Sequence, residues 1–251
     1  MHTRPRSTPS KLPQPERCSA HQGLDGGQRP SPTYEGAVAR ALLQTKNQLS
    51  RDMQKMFAEA EMKRVQKFAL DVTLDPKTAH PELILSDDGK QVKHGDVKKN
   101  LPDNPERFSH YNFVFAKQSV SSGRFYFEVE VRGKPKWNLG VARESVNRKG
   151  PIKMTPEYGY WSIWLRNGNE YKALDAPSVR LFLQSGPQKV GVFVDYEEGL
   201  VSFYDVEAAA LIHSFAGSSF KEKLLPFFSP CRNDGGHNSS PLIIRPVTQT
   251  A

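Results

Sequence analysis

Residues 124–131 read RFYFEVEV, with Phe125, Phe127, Val129 and Val131 alternating against Tyr126, Glu128 and Glu130. A period of two sends successive side chains to opposite faces, so this stretch is a half-buried strand with its phenylalanines and valines inward. Further strand candidates are KWNLGVA (136–142), GYWSIWLR (159–166), KVGVFV (189–194), LVSFYD (200–205), ALIHSF (210–215) and PLIIRPV (241–247). Gly, Pro, Asn and Asp mark the breaks between them. No helical period of useful length follows residue 70. Many short strands without intervening helices predict an all-β fold, an antiparallel sandwich or barrel. No internal repeat points to a propeller.

Residues 190–205, VGVFVDYEEGLVSFYD, place Asp195, Glu197 and Glu198 close together. Such a cluster could belong to a hydrolase or a carbohydrate-binding site. Yet Val190, Val192 and Val194 alternate into one strand, LVSFYD forms the next, and Gly199 supplies the positive φ of a tight hairpin turn. A catalytic pair needs a cleft with one carboxyl desolvated. The turn reading therefore prevails, with these acidic groups solvated.

Residues 34–68 differ in kind. They contain no proline and one glycine, and are dense in Ala, Leu, Met, Gln, Lys and Glu, which are strong helix formers. Leu42, Leu49 and Met56 recur at seven, as do Ala39, Lys46, Met53 and Ala60. That spacing predicts the end of a coiled coil, which would make a homodimer through the helix; the alternative is a single amphipathic helix lying on the domain. Residues 1–33, rich in Pro, Ser, Gly and Arg, are expected to be disordered because they bury too little apolar surface to offset ordering entropy.

The net charge is +8, but its distribution argues against a specific nucleic-acid partner. Residues 69–251 hold 23 Lys/Arg against 21 Asp/Glu, leaving +2; the basicity lies in the two N-terminal segments. No apolar run is long enough to span a membrane, and the N-terminus lacks the apolar core of a secretory signal. The two cysteines, Cys18 and Cys231, are too few for a disulfide framework and fit a reducing compartment. A cytoplasmic location is expected. Cys18 and His21 have the spacing of half a zinc site, but four ligands are needed, so no metal is expected. Nor is a cofactor: no HExxH, GxSxG or P-loop motif is present.

Taken in order, LDPKTAHPELILSDDGKQV (74–92), GRFYFEVEV (123–131), WNLGVARESVNRKG (137–150), GYWSIWL (159–165), VGVFVDYEEGLVSFYD (190–205) and LLPFFSPCRNDGGHNSSPLII (224–244) resemble the PRY and SPRY elements of tripartite-motif ubiquitin ligases, the fish forms above all. The resemblance covers roughly 70–247. It implies a β-sandwich of residues 69–251, with PRY at about 69–122 and SPRY at about 123–247, preceded by the helix of 34–68 and the tail of 1–33. It also implies a non-enzymatic protein-recognition module, the partner-binding arm of a ligase, in innate immunity. The RING and B-box zinc domains of that family have no Cys/His series here, so the chain is expected not to transfer ubiquitin alone. A form lacking the head, or a truncated gene reading, fits this.

The resemblance places a protein-binding surface at positions Asn138, Trp164, Arg166 and Arg232, extended along the loop to Asn233 and Asp234. Trp161 and Trp164 are three apart in a strand and so face opposite ways; Trp164 is expected at the surface. Arg166 and Arg232 are expected to grip an acidic or carbonyl-rich ligand bidentately, unless Asp234 pairs with Arg232. The polar stretch 87–110 reads as a loop, in which Lys90, Lys93 and His94 would form a basic rim.

Overall fold

The computed structural model describes residues 34–248, so the expectations for residues 1–33, Cys18 and His21 included, lie outside the described residues. Helix α1 spans Tyr34–Gln66. Its residues up to Gln48 fall in one compact unit, and those from Leu49 onward in a second that includes all the strands. In the first unit Leu42 and Leu43 are exposed; in the second, so are Leu49, Met53, Met56 and Phe57. Only near its C-terminus does the helix bury apolar side chains, Met62 and Val65. The chain then leaves the helix, and Leu70 N donates to Tyr126 O at 2.8 Å.

Among the described residues thirteen strands follow: β1 (Leu83–Leu85), β2 (Gln91–His94), β3 (Val114–Phe115), β4 (Arg124–Glu130), β5 (Trp137–Arg143), β6 (Tyr160–Arg166), β7 (Glu170–Ala173), β8 (Val179–Leu181), β9 (Lys189–Asp195), β10 (Leu200–Asp205), β11 (Ala210–Phe215), β12 (Leu224–Ser229) and β13 (Leu242–Arg245). They form two antiparallel sheets. One has seven strands in the order β1-β2-β13-β4-β9-β10-β11, the other six in the order β3-β12-β5-β6-β7-β8. The sandwich expected from alternation is therefore present. Phe125, Phe127 and Val129 of β4 meet Val141, Trp161 and Ile163 from the opposing sheet in one continuous core. Trp161 closes that core and donates Nε1 to Ser218 Oγ at 2.9 Å.

The sequence reading needs correction in three places. First, β4 is buried on both faces, because Met62 and Val65 of α1 cover Tyr126, Phe193 and Tyr204. Glu128 is only 1% exposed. Its carboxylate accepts from Gln66 Nε2 at 2.9 Å and from Tyr126 Oη at 3.1 Å, and lies 2.7 Å from Lys189 Nζ. Burial, with this carboxylate beside it, pushes the Tyr126 hydroxyl pKa well up. The Tyr126 hydroxyl fits because it lies over Gly191, the register partner of Glu128; a Cβ there would come within 2.3 Å of it.

Second, the 195–199 turn is a hairpin as expected, with Gly199 at φ 63°, but Asp195 is not solvated. It is 5% exposed and ion-paired to Arg124 at 2.5 Å. Burial raises its pKa, yet the bonds from Arg124 and from Glu198 N prevail and hold it below the usual carboxylate range. Glu197 accepts from Gly123 N at 2.8 Å. Asp195 and Glu197 thus tie the hairpin to the start of β4. Third, the polar stretch 87–110 contains strand β2, which alternation did not reveal because only Val92 among its four residues is buried.

Candidate functional site

A cleft of about 650 Å³ opens on the outer face of the six-stranded sheet. Its floor comes from β5 and β6, where Asn138 and Trp164 are register partners. Its apolar wall includes Tyr111, Phe113, Ile152 and Met154, from the two long loops flanking β3 and following β5. Those loops also cover an aromatic cluster of Phe108, Phe113, Phe115, Tyr160 and Phe227. Arg232 and Cys231 close the other side.

Arg166 organises the floor. Its guanidinium lies 4.3 Å from the Trp164 ring centroid, a cation–π stack that contributes about 0.5–2 kcal/mol. Nη1 donates to Trp137 O at 3.0 Å and Leu165 O at 2.7 Å, and Nη2 to Asn138 Oδ1 at 2.6 Å. Burial pushes its pKa down, countered by Cys231. Asn138 is 3% exposed and also directs Nδ2 at Met154 Sδ, 3.5 Å away. Three of the five Arg166 N–H donors and the Asn138 amide are therefore committed to the framework. The stacked Arg166 guanidinium holds the indole plane in place, and its Nε–H and one Nη2 proton have no hydrogen-bond partner among the described residues. Trp164 is half-buried, its Nε1 without an acceptor.

The loop from Pro230 to Pro241 is pinned by two buried residues. Lys134 Nζ donates to Asn238 O at 3.3 Å, to Asn238 Oδ1 at 3.0 Å and to Ser240 O at 2.8 Å. Burial pushes the Lys134 pKa down to about 8. Asn238 Nδ2 donates to Pro230 O at 2.8 Å and Arg232 O at 2.9 Å. Between these anchors Cys231 and Asp234 adopt positive φ, 56° and 52°, a costly conformation for non-glycine residues that tends to gather at binding sites. Burial pushes the Cys231 thiol pKa up, which keeps it protonated and unreactive.

Two family models match this chain: a SPRY-associated domain over residues 72–120 and a SPRY domain over residues 124–242. The chain belongs to the PRY-SPRY family. Over 169 residues it is 53% identical to Nuclear factor 7, brain, of Xenopus laevis, covering 67% of this chain and 28% of that protein. Over 178 residues it is 48% identical to the human E3 ubiquitin-protein ligase TRIM68, covering 70% of this chain and 37% of that protein. The chain thus spans about a third of the relatives it matches. The crystal structure of the TRIM65 PSpry domain superposes with a TM-score of 0.62 at 22% identity, covering 73% of this chain and 94% of that one; it shares the fold. The sandwich is a PRY-SPRY domain of the tripartite-motif type, and such a domain is a binding module.

Of the expected site residues, the PRY-SPRY fold brings Asn138, Trp164, Arg166 and Arg232 to one cleft. Trp164 faces outward and Trp161 inward, as the three-residue spacing requires. Arg232 is exposed, and its guanidinium has no ion pair among the described residues. Asp234 pairs not with Arg232 but with Lys136, at 2.5 Å. Asn233 donates to Asp96 at 2.9 Å. Neither lines the cleft. The three rim candidates stay outside it too. Lys90 pairs with Asp71 at 2.5 Å, His94 sits between Glu82 at 3.2 Å and Asp96 at 3.8 Å, and Lys93 points outward from β2. Lys134 and Asn238 were missed, since nothing in GKPK or HNSS signals burial.

Proposed function

We propose that this chain recognises a protein partner through the cleft centred on Trp164, and that it does so without catalysis. The carrying observation is a half-buried indole, fixed by a stacked guanidinium and walled by Tyr111, Ile152 and Met154. A rigid aromatic in a concave, partly apolar pocket is the usual composition of a binding hot spot. Of the three carboxylates that a sandwich hydrolase would use, Asp195 and Glu197 are committed to Arg124 and the Gly123 amide and Glu198 is exposed, which disfavours the enzymatic alternative.

In the whole protein this module serves as the partner-selecting arm of a tripartite-motif ligase, whose transfer chemistry belongs to a RING domain. The support is the likeness to relatives such as TRIM68, named an E3 ubiquitin-protein ligase. The proposed organisation is a helical segment at 34–68 followed by the PRY-SPRY unit at 69–251. The exposed Leu49, Met53 and Met56 favour a homodimer through the helix; a strict monomer in analytical ultracentrifugation at high concentration would remove that part. The cytoplasmic setting and the innate-immune role rest on the family alone. No helix among the described residues is long and apolar enough to cross a membrane.

The decisive experiment is comparative co-purification from cells using wild type and Trp164→Ala. Loss of the indole should weaken a genuine partner by about 2 kcal/mol or more while leaving the thermal transition nearly unchanged. An identical partner set for both proteins would overturn the site.

A further inference from the structure

The outer face that bears the cleft continues beyond Trp164 to the sheet edge. Strand register sets Ser229, Asn138, Trp164, Lys172 and Arg180 in one row across β12, β5, β6, β7 and β8. Tyr171 and Ala173 lie in the core and Leu181 packs against it. Lys172 and Arg180, at alternate positions, therefore point outward on the Trp164 side. Lys172 Nζ lies 5.8 Å from the Trp164 ring centroid, and the Arg180 guanidinium 5.4 Å from that of Phe182. Phe182 is 84% exposed. Among the described residues Lys172 and Arg180 make no ion pair, unlike Lys136 and Lys90.

We propose that the ligand of this cleft is an extended acidic segment of a partner protein. It crosses the row with an apolar side chain against Trp164 and carboxylates over Lys172 and Arg180. The inference rests on the protein-recognition reading above and adds to Arg166, three of whose five N–H donors are bound internally, the two cations nearer the sheet edge. Strands lie about 4.8 Å apart, so Lys172 and Arg180 stand about 5 and 10 Å from Trp164 along the row. An extended chain advances about 3.4 Å per residue, which places both carboxylates within about four residues of the anchor. Phe182 offers a second apolar contact at the far end. The cations are not without opposition: Asp175 lines the cleft, and Glu170 is the register partner of Arg166, where it accepts from Asn167. Those two carboxylates, with the near-neutral charge of residues 69–251, favour a short acidic peptide over the continuous phosphate backbone of a nucleic acid.

The test is selection of a phage-displayed random peptide library on the full chain. Selected sequences are then measured as synthetic peptides against wild type, Trp164→Ala, and the double variant Lys172→Glu/Arg180→Glu. Both substituted cations are on the surface, and an unchanged urea transition verifies the fold of each variant. The expected result is enrichment of Asp and Glu within about four residues of an apolar anchor, with affinity lost about tenfold or more in the double variant and weakened by salt. Peptides lost with Trp164→Ala but indifferent to the double variant would overturn this inference and leave the cleft reading intact. Peptides indifferent to Trp164→Ala would defeat both. Failure to select any acidic sequence, or displacement of the peptides by a single-stranded oligonucleotide that binds more tightly through Lys172 and Arg180, also overturns it.

Discussion

On the outer face of the seven-stranded sheet, Tyr126, Phe193 and Tyr204 lie under Met62 and Val65 at the end of α1. On the outer face of the six-stranded sheet, Phe115, Tyr160 and Phe227 lie under loops that carry Phe108, Phe113, Val146 and Met154. Both faces are apolar, yet their covers differ in how they satisfy their backbone. A helix pairs its own amides and carbonyls, and closes a face with a few side chains. A loop needs outside partners. Here Arg107 donates to Pro102 O, Pro76 O and Ala79 O, at 2.9, 2.9 and 2.7 Å, and Arg148 donates to Glu106 O and Glu144 O, at 2.8 and 2.9 Å. Cover built this way stops where its anchors stop, and the cleft begins there. Both covers leave a cavity at their margin, about 680 Å³ beside the helix and about 650 Å³ beside the loops, but the indole of Trp164 lies in the second.

Four experiments probe that contrast, from the largest expected effect to the smallest. Glu128→Ala, beneath the helix, strands Lys189 and removes the acceptor of Tyr126 and Gln66; the loss should be about 3–5 kcal/mol in urea unfolding, and a loss below about 1 kcal/mol would mean the helical cover is dispensable. Phe108→Ala, beneath the loops, should cost about 3 kcal/mol. Its hydrogen exchange should rise in residues 99–113 and not in β4 or β9; a rise in both would show that the two faces open together.

The third experiment is a pH titration. Burial lowers the His80 pKa against the opposing pull of Glu82, and its Nδ1 accepts from Glu82 N at 3.2 Å. The folded protein therefore favours the neutral ring. The unfolded chain binds the extra proton first, so stability is full above the unfolded value of about 6.5 and falls as pH drops toward the depressed folded value. His80→Gln should flatten that slope in a series of melting curves; an unaltered slope would assign it elsewhere, His213 being the other buried-side histidine with a lowered pKa. The smallest effect belongs to Glu197→Gln in the exposed hairpin, about 0.5 kcal/mol or less, with no change in any binding. A glycan array hit that disappears in this variant would revive the carbohydrate alternative.

The sequence exposed strands of six or seven residues that are rich in apolar and β-branched residues and bounded by turn residues. Strands β10 and β11 have the bounds that alternation predicts, 200–205 and 210–215. The spacing of Trp161 and Trp164 set the two on opposite faces, and the family resemblance made Trp164 the outer one. Strands β1, β2, β3, β7 and β8, each of four residues or fewer, stayed hidden, as did six-residue β12, which is buried throughout and contains Pro226, so none displays a period. That omission also hid Lys172 and Arg180, whose alignment with Trp164 exists only once register is known. The double burial of β4 was illegible for another reason. Tyr126 and Glu128 look like solvent-facing residues until the distant Met62, Val65 and Gln66 are folded over them.

Lys134 and Asn238 grip one another and otherwise only main-chain oxygens, those of Pro230, Arg232, Asn238 and Ser240. Every amino acid carries such an oxygen. The mounting is thus indifferent to which side chains sit at Arg232 and Ser240, as a chuck is to the tool bit it holds, whereas Asn233 to Gly236 is held besides by the Asn233–Asp96 and Asp234–Lys136 contacts and by positive φ at Asp234, Gly235 and Gly236, so a new specificity is tried at least cost at Arg232.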